Sequence, residues 1–364
     1  MKIMIIVDQM EHGGAGRVAA MVANGLAAKG HNIFFLTNTN KPINYTLTDS
    51  VKLYGVIPPS GSGIVKALKE IYLTRKIMRE KKPDVVLGIM WMHTFLGWIA
   101  SIGLGIPMIA TEHNAFERPV DVKMSLKDRI AKFHLNKLYA AVTVLTAADK
   151  RIIGDRLKMV EVMPNPLFLK PCTEEIKKEK IIMACGRLDA WHYKGFDILI
   201  QAWGKISQKY PDWHVQIVGE GNKKSLEYLK TLCKGNDVES SIDFAGQHTN
   251  ITPLYQKAEI FVLSSRYEGF GLVLIEAMSQ GCACIACDYN GRQADILTDK
   301  KEGLLCKCND VESLAEALSI MMDDDISRKK YQKNAIVRSA FFEQNNIANR
   351  WEKFIIDVVN RNTK

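Results

Sequence analysis

The chain has 364 residues, 47% of them hydrophobic and 24% charged; this composition excludes disorder, collagen and coiled coil, and the length fits two domains of roughly 150 residues or somewhat more. Its net charge of +9 is unevenly placed, since residues 1–170 hold 23 Lys/Arg against 13 Asp/Glu and residues 171–364 hold 26 against 27. A basic first half fits nucleic acid, anionic lipid or phosphorylated substrates, and equally a Lys-rich solvated surface.

The first residues turn polar too soon for a signal peptide, so a cytoplasmic protein is expected. An apolar strand at 2–8 leads into a Gly-rich turn, an Ala-rich helix at 15–29 and a second strand at 32–37. The turn, His12-Gly13-Gly14-Ala15-Gly16-Arg17-Val18-Ala19, matches the dinucleotide fingerprint by letter. A dinucleotide site also needs an acidic residue about 20 positions on, and none lies between His12 and Thr48. What survives is a generic loop for close backbone approach to a phosphate or sugar.

Residues 64–82 form a basic helix carrying Lys66, Lys69, Arg75, Lys76, Arg79, Lys81 and Lys82. Its apolar residues Ile64, Leu68, Ile71, Tyr72 and Met78 share one face at helical spacing. The stretch 85–110 has no charged residue and is long enough to span a bilayer, but Gly97, Gly103, Gly105 and Pro107 divide it. It reads as strand (84–90), buried helix (94–104) and strand (107–111). Lys123, Lys127, Arg129, Lys132 and Lys137 mark a second basic helix. Both basic helices suit an anionic membrane surface or a lipid diphosphate, or else are solvated faces of ordinary packing helices. Aromatic residues do not interleave the basic ones as a single-strand stacking platform would require, so nucleic acid is not expected as a partner.

Strands at 141–145 and 159–163 close the first half. Pro164, Pro166, Pro171 and the Lys/Glu-rich 174–180 mark a linker, dividing domains at 1–170 and 171–364. The pattern then restarts, with strands at 181–185, 214–218, 242–245, 259–263, 282–287 and 303–306 and helices between. Alternation of this kind means parallel strands with right-handed crossovers, hence two doubly wound Rossmann-like α/β domains with a cleft between them. The last part, about 343–364, is expected to be a helix packing back across the hinge. All eight cysteines lie in the second half without zinc-knuckle spacing, so reduced core cysteines are expected and no metal. Asp323-Asp324-Asp325 ends an amphipathic helix and reads as solvated surface rather than a manganese site.

The most informative stretch runs Ser264-Ser265-Arg266-Tyr267-Glu268-Gly269-Phe270-Gly271-Leu272-Val273-Leu274-Ile275-Glu276-Ala277. Its glycines follow a strand and open a helix, presenting backbone amides to a phosphate at the positive helix end. Glu276, some two turns into that apolar helix, needs a partner, and ribose hydroxyls would serve. Cys185-Gly186-Arg187-Leu188-Asp189 and Lys194-Gly195 place two cations at the same edge of the sheet.

Taken together, Glu268-x7-Glu276, Gly-Arg-Leu-Asp with its downstream Lys-Gly, and Gly13-Gly14 resemble the retaining glycosyltransferases of family 4, which have the GT-B fold of two Rossmann-like domains facing across a cleft. Thr111-Glu112-His113-Asn114 and Tyr289-Asn290-Gly291-Arg292-Gln293-Ala294-Asp295 are similar to members that extend lipid-linked oligosaccharides, such as bacterial N-acetylgalactosamine transferases of protein N-glycosylation. The resemblance implies that Glu268 touches the donor sugar, Glu276 holds the nucleoside ribose, and Arg187 and Lys194 hold the diphosphate with amides of Gly271 and Leu272, Gly269 and Phe270 being further donor-binding residues. Gly14 would lie under the diphosphate or the acceptor, and His113 near the sugar's 6-position; the residue-level alternative for His113 is a neutral structural histidine. Gly16 departs from the relatives, where Glu is common.

The implied activity is metal-free transfer of a hexosyl or N-acetylhexosaminyl unit from a nucleotide sugar, taken as UDP-linked, to a lipid-linked oligosaccharide or a polysaccharide precursor such as that of lipopolysaccharide. The enzyme would sit peripherally at the inner face of the plasma membrane, with Lys69, Arg75, Lys76 and Arg79 toward acceptor or lipid. Two alternatives remain open: a nucleotide-sugar enzyme of the same fold with a soluble acceptor, and a non-catalytic sugar-binding protein.

Overall fold

A computed structural model describes residues 1–11, 13–58, 60, 62–117, 124–174 and 176–362. Two units divide the chain, one of Met1–Pro166 with Gln344–Lys364 and one of Leu167–Glu343. The chain changes unit ahead of the Lys/Glu-rich 174–180 because Leu167 already pairs within the second unit, its amide donating to the Phe342 carbonyl at 2.6 Å.

The first unit is built on β1 (Lys2–Ile6), α1 (Gly14–Ala28), β2 (Asn32–Thr37), β3 (Val51–Gly55), α2 (Gly63–Lys81), β4 (Val85–Ile89), α3 (Trp91–Ser101), β5 (Met108–Thr111), α4 (Leu126–Phe133), β6 (Ala141–Val144), α5 (Ala147–Ile153) and β7 (Val160–Val162). The seven parallel strands lie in the order β3-β2-β1-β4-β5-β6-β7. Strand β3, with exposed Lys52 and Leu53, forms the sheet edge and carries too little apolar signal to be read from sequence. The central strands are apolar on both faces, as burial under helices on both sides requires.

The second unit repeats the design with β8 (Glu179–Cys185), α6 (Trp191–Lys194), α7 (Phe196–Ile206), β9 (His214–Val218), α8 (Lys223–Gly235), β10 (Ile242–Gly246), α9 (Thr252–Lys257), β11 (Ala258–Leu263), α10 (Leu272–Ser279), β12 (Ala283–Asp288), β13 (Gly303–Lys307), α11 (Val311–Asp323) and α12 (Asp325–Ser339). Its six parallel strands run β10-β9-β8-β11-β12-β13. The core is centred on Trp203, Phe196, Ile260 and Ile285. All eight cysteines are free; Cys287 and Cys306 face each other on β12 and β13 with sulfurs 3.4 Å apart.

The last helix, α13 (Gln344–Asn362), packs against α1 in the first unit. Small residues permit this: a side chain on Gly25 would come within 2.8 Å of the Ala348 Cβ. Gln344 donates to the Met21 carbonyl at 2.9 Å, and Glu352 takes Lys29 at 2.7 Å and His31 at 2.9 Å. The aspartate triplet is used for helix ends. Asp323 accepts from the Tyr210 hydroxyl, Asp324 caps α12 by accepting from Ser327 N, and Asp325 pairs with Lys329.

Candidate active site

At the carboxyl edge of the second sheet, Lys194 Nζ donates to Glu268 Oε1 at 2.7 Å, and the Ser265 hydroxyl donates to the same oxygen at 2.9 Å. Burial alone would push the Lys194 ammonium down, but the Glu268 charge and hydrogen bond outweigh it and hold it above the usual lysine range. Arg187 stands exposed one loop away and acts electrostatically on Lys194; it has no partner among the described residues. Beside the Lys194–Glu268 pair the edge therefore presents an unmatched cation.

Close backbone approach sets this geometry. Gly195 has φ +64°, and a Cβ there would run into the Ser264 carbonyl. The Lys194 side chain crosses Gly186, where an added Cβ would meet its stem at 3.1 Å. Arg266 braces the whole loop: its guanidinium forks onto Asp197 at 2.7 and 2.8 Å and donates to the His192 carbonyl, while its backbone amide donates to the Tyr193 carbonyl at 2.8 Å. The Ser264 hydroxyl donates to the Lys194 carbonyl at 2.8 Å. Arg266 does not stand out in the sequence because its partners lie about 70 residues away, and Ser265 does not because a serine three residues before Glu268 carries no motif of its own.

Gly271, at φ +101°, caps α10, so the helix opens toward the same edge. Gly269 and Leu272 flank that turn and are partly exposed. The Phe270 side chain does not face it. The ring is buried against Phe342 with centroids 5.8 Å apart, so only its backbone remains for a ligand. Glu276 is the fifth residue of α10, a little over one turn in rather than two, since the helix begins only at Leu272. It is 5% exposed, and the buried Tyr255 hydroxyl donates to its Oε2 at 3.2 Å. That phenol, pushed well up by burial and then by the Glu276 charge, stays protonated as a donor.

In the first unit, Gly13 (φ +99°) caps α1 and Gly14 is its exposed first residue; His12, at the head of the loop, lies outside the described residues. The local packing accounts for Gly16. A Cβ there would lie 2.7 Å from the Gln9 carbonyl and 3.3 Å from the Tyr45 ring, so a glutamate does not fit. His113 follows β5, and burial pushes its imidazole down to about 4, leaving it neutral at pH 7. The Thr111 hydroxyl donates to the Gly88 carbonyl at 3.1 Å, so His113 Nε2 at 3.1 Å is the donor to Thr111, and Nδ1 keeps its lone pair.

The basic helices divide differently from their sequence pattern. On α2, Ile71 and Met78 pack into the core, while Ile64, Leu68 and Tyr72 (77%, 62% and 66% exposed) form an outward stripe with Val65. Lys69, Lys76 and Arg79 are exposed beside them. Arg75 is not free for a ligand, because its guanidinium donates to the Ala100 and Ile102 carbonyls at 2.7 and 2.8 Å and closes the end of α3. On α4, Leu126 and Ile130 are exposed with Lys127 and Arg129, whereas Lys132 is buried and bonds the Asn114 and Ala115 carbonyls. Lys123 lies outside the described residues. Among the described residues no three His, Cys, Asp or Glu side chains cluster as a metal site, and no helix is long and apolar enough to cross a membrane.

Two doubly wound parallel sheets, the second with cations and a glycine-opened helix at its carboxyl edge, place this chain in the GT-B class of α/β proteins. The chain belongs to the family 4, group 1 glycosyltransferases: residues 12–167 match the Glycosyltransferase Family 4 domain and residues 169–338 match Glycosyl transferases group 1. Over 99% of both chains it is 29% identical to the GalNAc-alpha-(1->4)-GalNAc-alpha-(1->3)-diNAcBac-PP-undecaprenol alpha-1,4-N-acetyl-D-galactosaminyltransferase of Campylobacter jejuni. It is 26% identical, over 86% of each chain, to the UDP-Gal:alpha-D-GlcNAc-diphosphoundecaprenol alpha-1,3-galactosyltransferase of Escherichia coli. Among solved structures it shares its fold with sucrose-phosphate synthase of Thermosynechococcus elongatus (TM-score 0.83, 18% identity, 99% of each chain). It also resembles Anabaena HepE in complex with UDP (TM-score 0.82, 18% identity, 98% and 100% covered).

Proposed function

We propose that this glycosyltransferase moves a hexosyl or N-acetylhexosaminyl unit from a UDP-sugar to a diphospholipid-linked glycan, with retention at the anomeric carbon and without a metal. The observation that carries this reading is the Lys194–Glu268 pair beside exposed Arg187. As the sugar–phosphate bond breaks, negative charge grows on the leaving diphosphate; Arg187, Lys194 and the amides opening α10 would receive it. Glu268 is the carboxylate of that edge positioned for sugar hydroxyls, with Lys194 and Ser265 fixing its orientation. A double-displacement mechanism needs two opposed carboxylates, so front-face transfer assisted by the departing phosphate is the better account. By the family resemblance, His113, whose Nδ1 keeps its lone pair, would accept from a donor-sugar hydroxyl, and Glu276, oriented by Tyr255, from ribose.

The membrane part rests on α2. An outward stripe of Ile64, Leu68 and Tyr72 flanked by Lys69, Lys76 and Arg79 is the composition that lies in an anionic lipid interface. Each such cation near the surface contributes about 1 kcal/mol, screened by salt. Reversing Lys69, Lys76 and Arg79 to Glu should abolish binding to phosphatidylglycerol vesicles while sparing transfer to a short water-soluble acceptor. If the wild-type protein ignores such vesicles at low salt, the soluble-acceptor reading takes over.

The catalytic part is tested by incubating the full chain with UDP-sugars and a polyprenyl-diphosphate glycan, with and without EDTA, and following the new anomeric proton by NMR. Retention with EDTA-resistant turnover is expected. Inversion or strict manganese dependence overturns the mechanism, and nucleotide-sugar binding without transfer favours a sugar-binding protein.

A further inference from the structure

In the first sheet β1 lies between β2 and β4, and the chain winds away in opposite directions from the β1–β4 pair. In open parallel sheets ligands bind outside the carboxyl ends at this switch point. Asp8 follows the end of β1, and His93 is the third residue of α3, which follows β4. The two meet there: His93 Nε2 is 3.2 Å from Asp8 Oδ1, and His93 Nδ1 is 2.7 Å from Glu70 Oε1 on α2. With a carboxylate on each ring nitrogen, both nitrogens donate and the ring is an imidazolium. Its carboxylate neighbours raise its pKa to about 9 against the opposing pull of burial.

The three groups differ in access. Glu70 is 5% and His93 15% exposed, whereas Asp8 is 49% exposed. Among the described residues Asp8 Oδ2 has no partner. Met90, at the turn between β4 and α3, holds φ +69°, which is rare for a residue with a side chain and fixes where α3 begins.

We infer that Asp8, aimed by His93 and Glu70, is a sugar-hydroxyl subsite that accepts hydrogen bonds from hydroxyls of the acceptor glycan. This rests on reading the chain as a transferase to a glycan. Lys41 also acts on Asp8, so two carboxylates face an imidazolium and an ammonium, and a group with little net charge suits neutral hydroxyl donors. An ionised carboxylate binds hydroxyls through charge-assisted bonds. The His93 hydrogen bond holds the Asp8 carboxyl below its usual range, so Asp8 binds and does not act as a base. His93 and Glu70 are positioning residues.

Saturation-transfer NMR on the full chain without donor, using the methyl α-glycosides of N-acetylgalactosamine and galactose, tests the subsite directly. Wild type should show saturation of ring protons, Asp8→Asn should lose it, and Glu70→Gln should weaken it. In transfer assays Asp8→Asn should raise the acceptor KM about tenfold with kcat and donor KM nearly unchanged. His93→Gln should act the same way but less, whereas a merely structural role would lower thermal stability without splitting KM from kcat. Absence of saturation transfer in wild type, or an unchanged signal in a stably folded Asp8→Asn, overturns the inference. Failure of the glycosyltransferase reading shows separately, as no UDP binding by calorimetry and no transfer from any UDP-sugar.

Discussion

At the carboxyl edge of the second sheet, Lys194 and Glu268 are tied to each other, to Ser265 and, through Arg266 and Asp197, to three loops. At the same edge of the first sheet, the Asp8 and His93 side chains pair with each other and, inward, with Glu70, and about half of the Asp8 side chain is open to solvent. The strand-to-helix turns are of one kind, yet one edge is cross-braced and the other is left accessible. A group that must meet charge growing in a transition state works best when it is already held rigid. A group that recognises hydroxyls of a large acceptor gains from access. Both arrangements grow from parallel strands that bring loops together at one end.

The sharpest way to break the contrast is to remove the brace. Arg266→Met strands Asp197 and the His192 carbonyl and should destabilise the second unit by about 3 kcal/mol, the lower end for a broken buried pair because both partners keep some exposure. Hydrogen exchange read separately in each unit should show the loss confined to 167–343; equal loss in both units would deny the brace its local role.

Next in size, Lys194→Ala should lower kcat about 10²-fold, and Arg187→Ala by a similar factor, with smaller changes in donor KM. Steady-state kinetics in which KM alone rises would make both residues ground-state contacts. Glu276→Ala should weaken UDP binding by about 1–3 kcal/mol by leaving polar groups unpaired. Unchanged UDP affinity in calorimetry would leave Glu276 a partner of Tyr255 only.

The smallest effect concerns two histidines of the first unit with opposite environments. Between pH 6.5 and about 9 folded His93 keeps a proton that the unfolded chain releases, so stability falls as pH rises through that window. For His113 the unfolded chain takes up the proton first, so stability falls as pH drops from 6.5 toward about 4. Solvent at the half-exposed Asp8 screens the first effect to the order of 1 kcal/mol. Urea unfolding across pH should lose its alkaline slope in His93→Gln and its acid slope in His113→Gln; retention of either slope in its variant would assign it elsewhere.

The sequence by itself determined the two doubly wound sheets, because buried parallel strands read as apolar runs and crossover helices as periodic ones. It also showed the glycine turns and the ionisable residues at strand ends, since those are local properties of the chain. Tertiary structure alone decided which charges are available. Arg75 and Lys132 look like surface cations in a basic helix, yet both serve buried carbonyls. Ile64, Leu68, Ile71, Tyr72 and Met78 share helical spacing, yet only the packing of α2 divides them into inward and outward faces. Asp8, Glu70 and His93 carried no motif because 85 residues of chain separate the outer pair, and His93 sat in a run that read as structural. Periodicity reports what a helix could bury; which face meets the sheet, and which distant charge answers a buried one, is fixed only when the strands assemble.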